Sequence, residues 1–322
     1  MIDLIRKAVQ QYDVQVITTE QIDKDGDVFI IVSPDGKKYF LKIINEKKGV
    51  DYLHTENLYH TYEQLYVEME ILNALKDTPV KTAYPVSNRQ GEYVSRLGND
   101  MYATVTSYID GVLMEEAADD PCEMAYKSGR AAAYLHNNSP NNLAIKRPHR
   151  DKIYIKQIMD RILEGVNVYK TITESEYEIL TKGADCIVAC MDGLDKDENK
   201  TKGLVHTDLR CGNFIYTNGL AIPIDFTRSV YGYYLYDLGE MCMHMGGMAP
   251  EAESEILRGY NSIRPLSVDD KQMVHVFGVM FLIILIAECI ELKDNQWFTN
   301  TKKSLCELHI PTIQRYELFI ND

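Results

Sequence analysis

A short strand-like island, Gly203 to Phe226, interrupts what otherwise reads as a run of helices, and the chain before residue 110 reads as strands around one helix. Strands gathered at the front and helices at the back cannot form alternating layers. They predict a small sheet lobe beside a larger helical lobe, an α+β architecture.

The front supplies its own punctuation. Val14 to Ile22, Val28 to Val32 and Lys37 to Ile44 are β-branched and aromatic runs, separated by Lys24-Asp25-Gly26-Asp27 and Ser33-Pro34-Asp35-Gly36. That alternation predicts a three-strand meander. From Tyr62 to Leu75 the period changes, with Leu65, Met69, Leu72 and Leu75 on one helical face, until Asp77-Thr78-Pro79 ends it. Two more strands are expected near Glu92 to Arg96 and Tyr102 to Tyr108, and Asp110-Gly111 marks the change of character. The expected division is 1–108 and 109–322. Helices are expected over about 120–137, 151–169, 174–192, 235–246, 250–261, 268–291 and 311–320.

Composition narrows the function classes. The 322 residues carry a formal net charge of −14, which argues against nucleic acid as the main partner, because phosphate backbones select basic surfaces. An acidic cleft would suit a cationic small substrate, although the same charge serves solubility. The first residues, MIDLIRKAVQQY, read as an amphipathic helix without the apolar core of a signal peptide. The most apolar stretch, Val276 to Ala287, is too short to span a bilayer and is expected to be a buried helix, so no membrane partner is expected. Seven cysteines without a CxxC pair are expected to be reduced thiols of a cytoplasmic protein.

The chemistry concentrates in the island, LVHTDLRCGNFIYTNGLAIPIDF, with His206, Asp208, Asn213 and Asp225. Phosphoryl transfer requires one carboxylate near the acceptor hydroxyl and oxygen ligands that hold magnesium on the phosphates. An H-x-D-x-x-x-x-N string supplies the carboxylate and one ligand from a single loop. A hairpin around Thr217-Asn218-Gly219 would swing Asp225 back beside Asn213. His206 itself is expected to bond loop backbone rather than carry protons.

His206-Thr207-Asp208-Leu209-Arg210-Cys211-Gly212-Asn213-Phe214, followed by Ile224-Asp225-Phe226 and Tyr236-Asp237-Leu238-Gly239, resembles the aminoglycoside phosphotransferase/choline kinase family. The resemblance implies a protein-kinase-like fold and a soluble kinase that uses ATP, with GTP not excluded, and Mg2+ to phosphorylate a small-molecule hydroxyl. It implies Asp208 as catalytic base, Asn213 and Asp225 as magnesium ligands, and Asp237 as a structural tie. It also makes Lys42, on the third strand, the phosphate lysine. Glu68 is its expected partner, since it shares the inward face with Leu72 and Leu75, whereas Glu70 lies on another face. The connector Thr106 to Gly111 resembles the hinge, with the base edge on backbone of Ser107, Tyr108 and Ile109. The turn Lys24 to Asp27, with one glycine, would cover the phosphates.

Two departures from the family and from its protein-kinase cousins are visible. Arg210 and Cys211 stand where many relatives carry His and Pro. Phe226 is followed by Thr227, so no D-F-G string exists, and no A-P-E string follows. Both absences favour a small-molecule kinase over the alternatives, an atypical protein kinase or a non-catalytic nucleotide-binding module. On the acceptor side, Arg210, Arg228, Tyr231 and Glu240 are candidate substrate contacts. The aromatics could hold a cation and Arg228 could clamp an anion, or Tyr231, Tyr233 and Tyr234 pack the loop. Glu240 and His244 follow Asp237 at i+3 and i+7 on its helix face.

Overall fold

The computed structural model describes residues 2–14, 16–22, 28–46, 60–98 and 100–316. After helix α1 (Ile2–Val9), strands β1 (Thr18–Gln21), β2 (Val28–Val32) and β3 (Lys38–Asn45) form the expected meander. Helix α2 (Tyr62–Leu75) follows, then β4 (Val94–Gly98) and β5 (Met101–Ser107). The five strands make one antiparallel sheet in the order β1-β2-β3-β5-β4. Period-two alternation divides its faces. Phe29, Ile31, Leu41, Ile43, Ala103 and Val105 point to one side and pack with Ala8 and Tyr12 in an apolar cluster. Phe40 and Lys42 therefore point to the other side, toward the helical lobe.

The first strand is shorter than its sequence suggests. Thr18–Gln21 pairs with β2, with the Ile17 and Ile22 amides bonding its carbonyls at the two ends, while Val14 is buried in the α1 cluster. The turn Lys24 to Asp27 lies outside the described residues.

Beyond the sheet come β6 (Val112–Leu113), α3 (Pro121–Asn137), α4 (Asn141–Ala144), α5 (Lys152–Glu164), α6 (Glu174–Leu194) and α7 (Glu198–Thr201). Strands β7 (Lys202–Val205), β8 (Phe214–Thr217), β9 (Leu220–Pro223) and β10 (Val230–Tyr233) build the island, followed by α8 (Tyr234–Met245), α9 (Ala252–Asn261) and α10 (Val268–Glu288). Last are α11 (Gln296–Ser304) and α12 (Ile310–Ile313), joined by a π-helical turn at Leu305–His309. The helical segment therefore starts well before residue 311, and residues 317–320 of the expected helix lie outside those described. Its weak apolar period, with Trp297 half exposed, hid it in the sequence.

Local sequence explains the boundaries. Thr61 caps α2 by accepting the Gln64 amide, Asp120 with Pro121 starts α3, and a Ser267–Asp270 capping box starts α10. Helix α10 is long and apolar enough to cross a membrane by length and composition, yet 67 % of its apolar window is buried inside the fold. It is the axis of the helical lobe, where Val274, Phe277, Ile283 and Ile286 contact neighbours on several sides. A second cluster joins the lobes, with Leu65, Ile71 and Leu72 of α2 packed in one group with Leu135, Leu204 and Phe226.

Helices α8 and α10 cross at glycine. A Cβ added to Gly239 would lie 2.4 Å from the Gly278 amide nitrogen and 2.7 Å from the Val274 carbonyl oxygen, backbone atoms that cannot rotate away. In an open helix Ala would gain about 1 kcal/mol over Gly. Here overpacking costs about 1–3 kcal/mol and dominates. Gly239→Ala is expected to be less stable than the parent by chemical denaturation. A variant as stable as the parent would show that the helices do not cross this closely.

Candidate active site

The island is held at both ends before any of its side chains is placed. Strand β7 pairs antiparallel with β10, with Val205 opposite Val230, so the segment between them is pinned where it enters and where it leaves. Residues 230–233, tyrosine-rich and without a clear strand signal in the sequence, form the second strand of this pair. Between these strands, β8 and β9 form a two-residue hairpin whose turn residues Asn218 and Gly219 have φ of 50° and 69°, the left-handed pair that Asn-Gly favours. The hairpin places Asn213 opposite Ile224, whose amide bonds the Asn213 carbonyl at 3.0 Å. Asp225 follows directly.

The loop from His206 to Asn213 is fixed from below by Asp237 of α8, which is fully buried. Its Oδ2 accepts the His206 amide at 2.8 Å and its Oδ1 the Thr207 amide at 2.9 Å. Its Oδ2 also meets His136 Nε2 at 3.0 Å, and the Tyr260 hydroxyl lies 2.8 Å from His136 Nδ1. Burial alone would push the Asp237 carboxyl up, but His136 and the His206 amide outweigh it and leave it below the usual carboxylate range. Burial keeps His136 neutral, so its Nε2–H donates to the carboxylate and Tyr260 donates to Nδ1. Thr207 needs this support. Its φ of 61° is uncommon for a β-branched residue, and its hydroxyl donates to the Arg228 carbonyl at 2.7 Å.

Within the loop, Asn213 Nδ2 donates to the Asp208 carbonyl at 2.8 Å. A carbonyl only accepts, which fixes the amide and leaves Oδ1 as its ligating atom. His206 is buried, with Nε2 2.9 Å from the Ile224 carbonyl and its ring edge-on to Phe226. It carries the loop's backbone, as its sequence setting suggested. Asp208 remains partly exposed, and Arg210 Nε lies 3.3 Å from its Oδ1.

Lys42 reaches across from β3. Its Nζ lies 2.9 Å from Thr227 Oγ1 and 3.5 Å from Asp225 Oδ1, while Thr227 Oγ1 donates to Asp225 Oδ1 at 2.7 Å. The nearby Lys42 charge holds the Asp225 carboxyl well below the usual range, against its partial burial. Glu68 on α2 is buried, which raises its carboxyl, while Lys42 and Arg147 offset part of that rise. Glu70 is partly exposed and 4.0 Å from Lys146 Nζ, the surface position expected of it. Ser107 is engaged in the connector, its amide on the Tyr84 carbonyl and its hydroxyl on the Tyr84 amide.

Arg147 was not legible in the sequence. It is buried, and its guanidinium donates to carbonyls of Gln64 on α2 and of Thr227 and Ser229 beyond Asp225. It ties α2 to the segment that carries Asp225, and no local pattern announces such a contact. Of the acceptor-side candidates, Arg228 bonds Glu288 Oε1 at 2.6 Å, and Tyr231 packs its ring on His149, with centroids 5.1 Å apart. Tyr233 and Tyr234 are buried. Arg210 and Glu240 lie near Asp208.

A strand-borne lysine that meets an aspartate of a helical lobe, beside a loop carrying a second carboxylate, is the protein-kinase-like arrangement. The chain belongs to the phosphotransferase enzyme family, whose model matches residues 19–266. It is a small-molecule kinase, a phosphotransferase with an alcohol group as acceptor. A curated relative, the homoserine kinase of Parvibaculum lavamentivorans, is 23 % identical over 274 residues, covering 78 % of this chain and 79 % of the relative. Among solved structures, a microcompartment-associated aminopropanol kinase superposes with a TM-score of 0.73 at 19 % identity, covering 98 % of this chain and 97 % of that one. An amicoumacin kinase in complex with AMP-PNP, Ca2+ and Ami gives 0.70 at 16 % identity, over 94 % and 92 %.

The Asp237 network generates a pH signature. A carboxyl depressed in the folded state contributes stability above its unfolded value of about 3.9, lost as pH falls below that toward the folded value. Asp237→Asn turns an amide donor toward one of the two backbone donors and removes the charge, and should cost on the order of 3 kcal/mol at neutral pH. The gap between parent and variant should shrink below about pH 4. A gap that stays constant from pH 7 to pH 3 would refute a carboxyl held below its unfolded value in the folded state.

Proposed function

We propose that the chain transfers the γ-phosphoryl group of ATP, with magnesium, to the hydroxyl of a small acceptor, with 1–108 as the nucleotide-binding lobe and 109–322 as the catalytic lobe. What supports this reading is that Asp208 and Asn213 share one loop, that the hairpin returns Ile224 to Asn213 with Asp225 next to it, and that Lys42 reaches Asp225 from the sheet.

In this reading Asp208 orients the acceptor hydroxyl and takes its proton. The acceptor oxygen forms a bond to the γ-phosphorus as the bond to the β–γ bridging oxygen breaks, and ADP leaves with that electron pair. Lys42, with Glu68 behind it, neutralises phosphate charge. Asn213 Oδ1 and the Asp225 carboxylate, hard oxygen donors, would hold magnesium, which when bound spreads charge on the phosphates. The Ser107 amide is bonded to the Tyr84 carbonyl, and the base edge would meet the other backbone groups near Ser107 to Ile109. Relatives described as homoserine and aminopropanol kinases support small hydroxylated acceptors. The lack of D-F-G and A-P-E strings disfavours a protein acceptor.

A coupled ADP-release screen with magnesium and ATP over amino alcohols, hydroxy-amino acids, sugars and aminoglycosides tests the reading. With any acceptor found, Asp208→Asn is expected to lower kcat by about 10²–10⁴-fold while the fold survives. Normal turnover would remove Asp208 from the role. Asp225→Asn is expected to raise the magnesium concentration required for nucleotide binding, and an unchanged requirement would remove it as a ligand.

A further inference from the structure

Beside Asp208, α8 presents two further groups, Glu240 and His244, one helical turn apart. A carboxylate oxygen of Asp208, one of Glu240 and a ring nitrogen of His244 lie within 4.8 Å of one another. Glu240 Oε1 is 3.9 Å from His244 Nε2, beyond a hydrogen bond. Glu240 is only 2 % exposed, and its Oε2 is enclosed with no hydrogen-bond partner. Burial, reinforced by Asp237 and Asp208, raises the Glu240 carboxyl well above its ordinary value, against the charges of Arg150 and Arg228. Burial also lowers His244, whose ring packs on Phe281 at 4.8 Å. A buried carboxyl oxygen without a partner is costly, and a cation that donates to the group would both complete it and favour its ionised form.

We propose that this triangle receives the ammonium group of the acceptor, so that the substrate is a short amino alcohol: its NH3+ on Glu240, His244 and one oxygen of Asp208, its hydroxyl on the other oxygen of Asp208. A primary ammonium has three N–H donors and no acceptor, matching three acceptors. At charge-assisted distances of about 2.8 Å and tetrahedral angles, its acceptors stand roughly 4.6 Å apart. Magnesium prefers all-oxygen ligands, so imidazole is a poor partner for it. Because ammonium and hydroxyl share Asp208, two or three carbons separate them, a span of roughly 3–5 Å with bonds near 1.5 Å. The Arg210 contact on Asp208 is half exposed and weak, and the acceptor's cation displaces it.

This inference rests on Asp208 as the hydroxyl-binding group, and the test separates the two. The full chain with magnesium and AMP-PNP is titrated by calorimetry with 1-amino-2-propanol and 3-amino-1-propanol, and with 1,2- and 1,3-propanediol. The parent is expected to bind the amines at least 10-fold more tightly than the diols. Glu240→Gln is expected to remove that preference, and to raise KM for the amines at least 10-fold with KM for ATP unchanged. Equal binding of amines and diols by the parent overturns the proposal even if the variant does not fold. So does a folded variant with undiminished amine affinity, or one that changes only the divalent-ion requirement. Amine binding that depends on Glu240 without any ADP release leaves the ammonium site standing and removes the kinase role of Asp208. Phosphorylation of diols or sugars without amine preference does the reverse.

Discussion

One buried carboxylate organises the centre of this molecule. Asp237 has no solvent contact, and a bare charge there would be prohibitively expensive. Two backbone amides of the loop and one imidazole satisfy it. The exchange runs in both directions. The carboxylate is tolerated because the loop donates to it, and the loop keeps a left-handed threonine because the carboxylate is there. Since Asp237 belongs to α8, which meets the core helix α10 at a glycine crossing, the position of Asp208 is tied to the packing of the helical lobe.

A second layer of order comes from backbone pairing. Strands β7 and β10 close the island at its base, and the β8–β9 hairpin returns Ile224 to Asn213. With both ends pinned and the middle folded back, Asp208, Asn213 and Asp225 stand on a frame held by backbone pairing, to which the Asn213 amide adds one bond of its own. Rigid support of this kind lets polar groups face solvent in a fixed arrangement at low entropic cost.

Much of this was legible from local signals. Helix α2 was readable because Leu65, Met69, Leu72 and Leu75 keep one helical period and Asp77-Thr78-Pro79 ends it. The Asn-Gly hairpin and the inward face of Glu68 follow from turn chemistry and helical period. Contacts distant in sequence were silent. Arg147 bonds residues about 80 positions away, and His136 meets Asp237 across 101. Strand β10 hid because its tyrosines read equally well as pocket lining and as packing, and only the pairing with β7 decides between them. The threonine after Phe226, read in the sequence only as a missing glycine, supplies the hydroxyl between Lys42 and Asp225.

That hydroxyl-linked pair also bears on how the cleft breathes. Lys42 belongs to the sheet and Asp225 to the helical lobe, so their attraction acts as a latch between two bodies that also touch through α2, Arg147 and the buried Thr82–Pro223 hydrogen bond. Both side chains are partly exposed, and water screens the pair to a strength of order 1 kcal/mol or less. A latch that weak yields to thermal motion and lets an anionic guest slip between its halves, each of which then finds a new partner without either lobe having to repack.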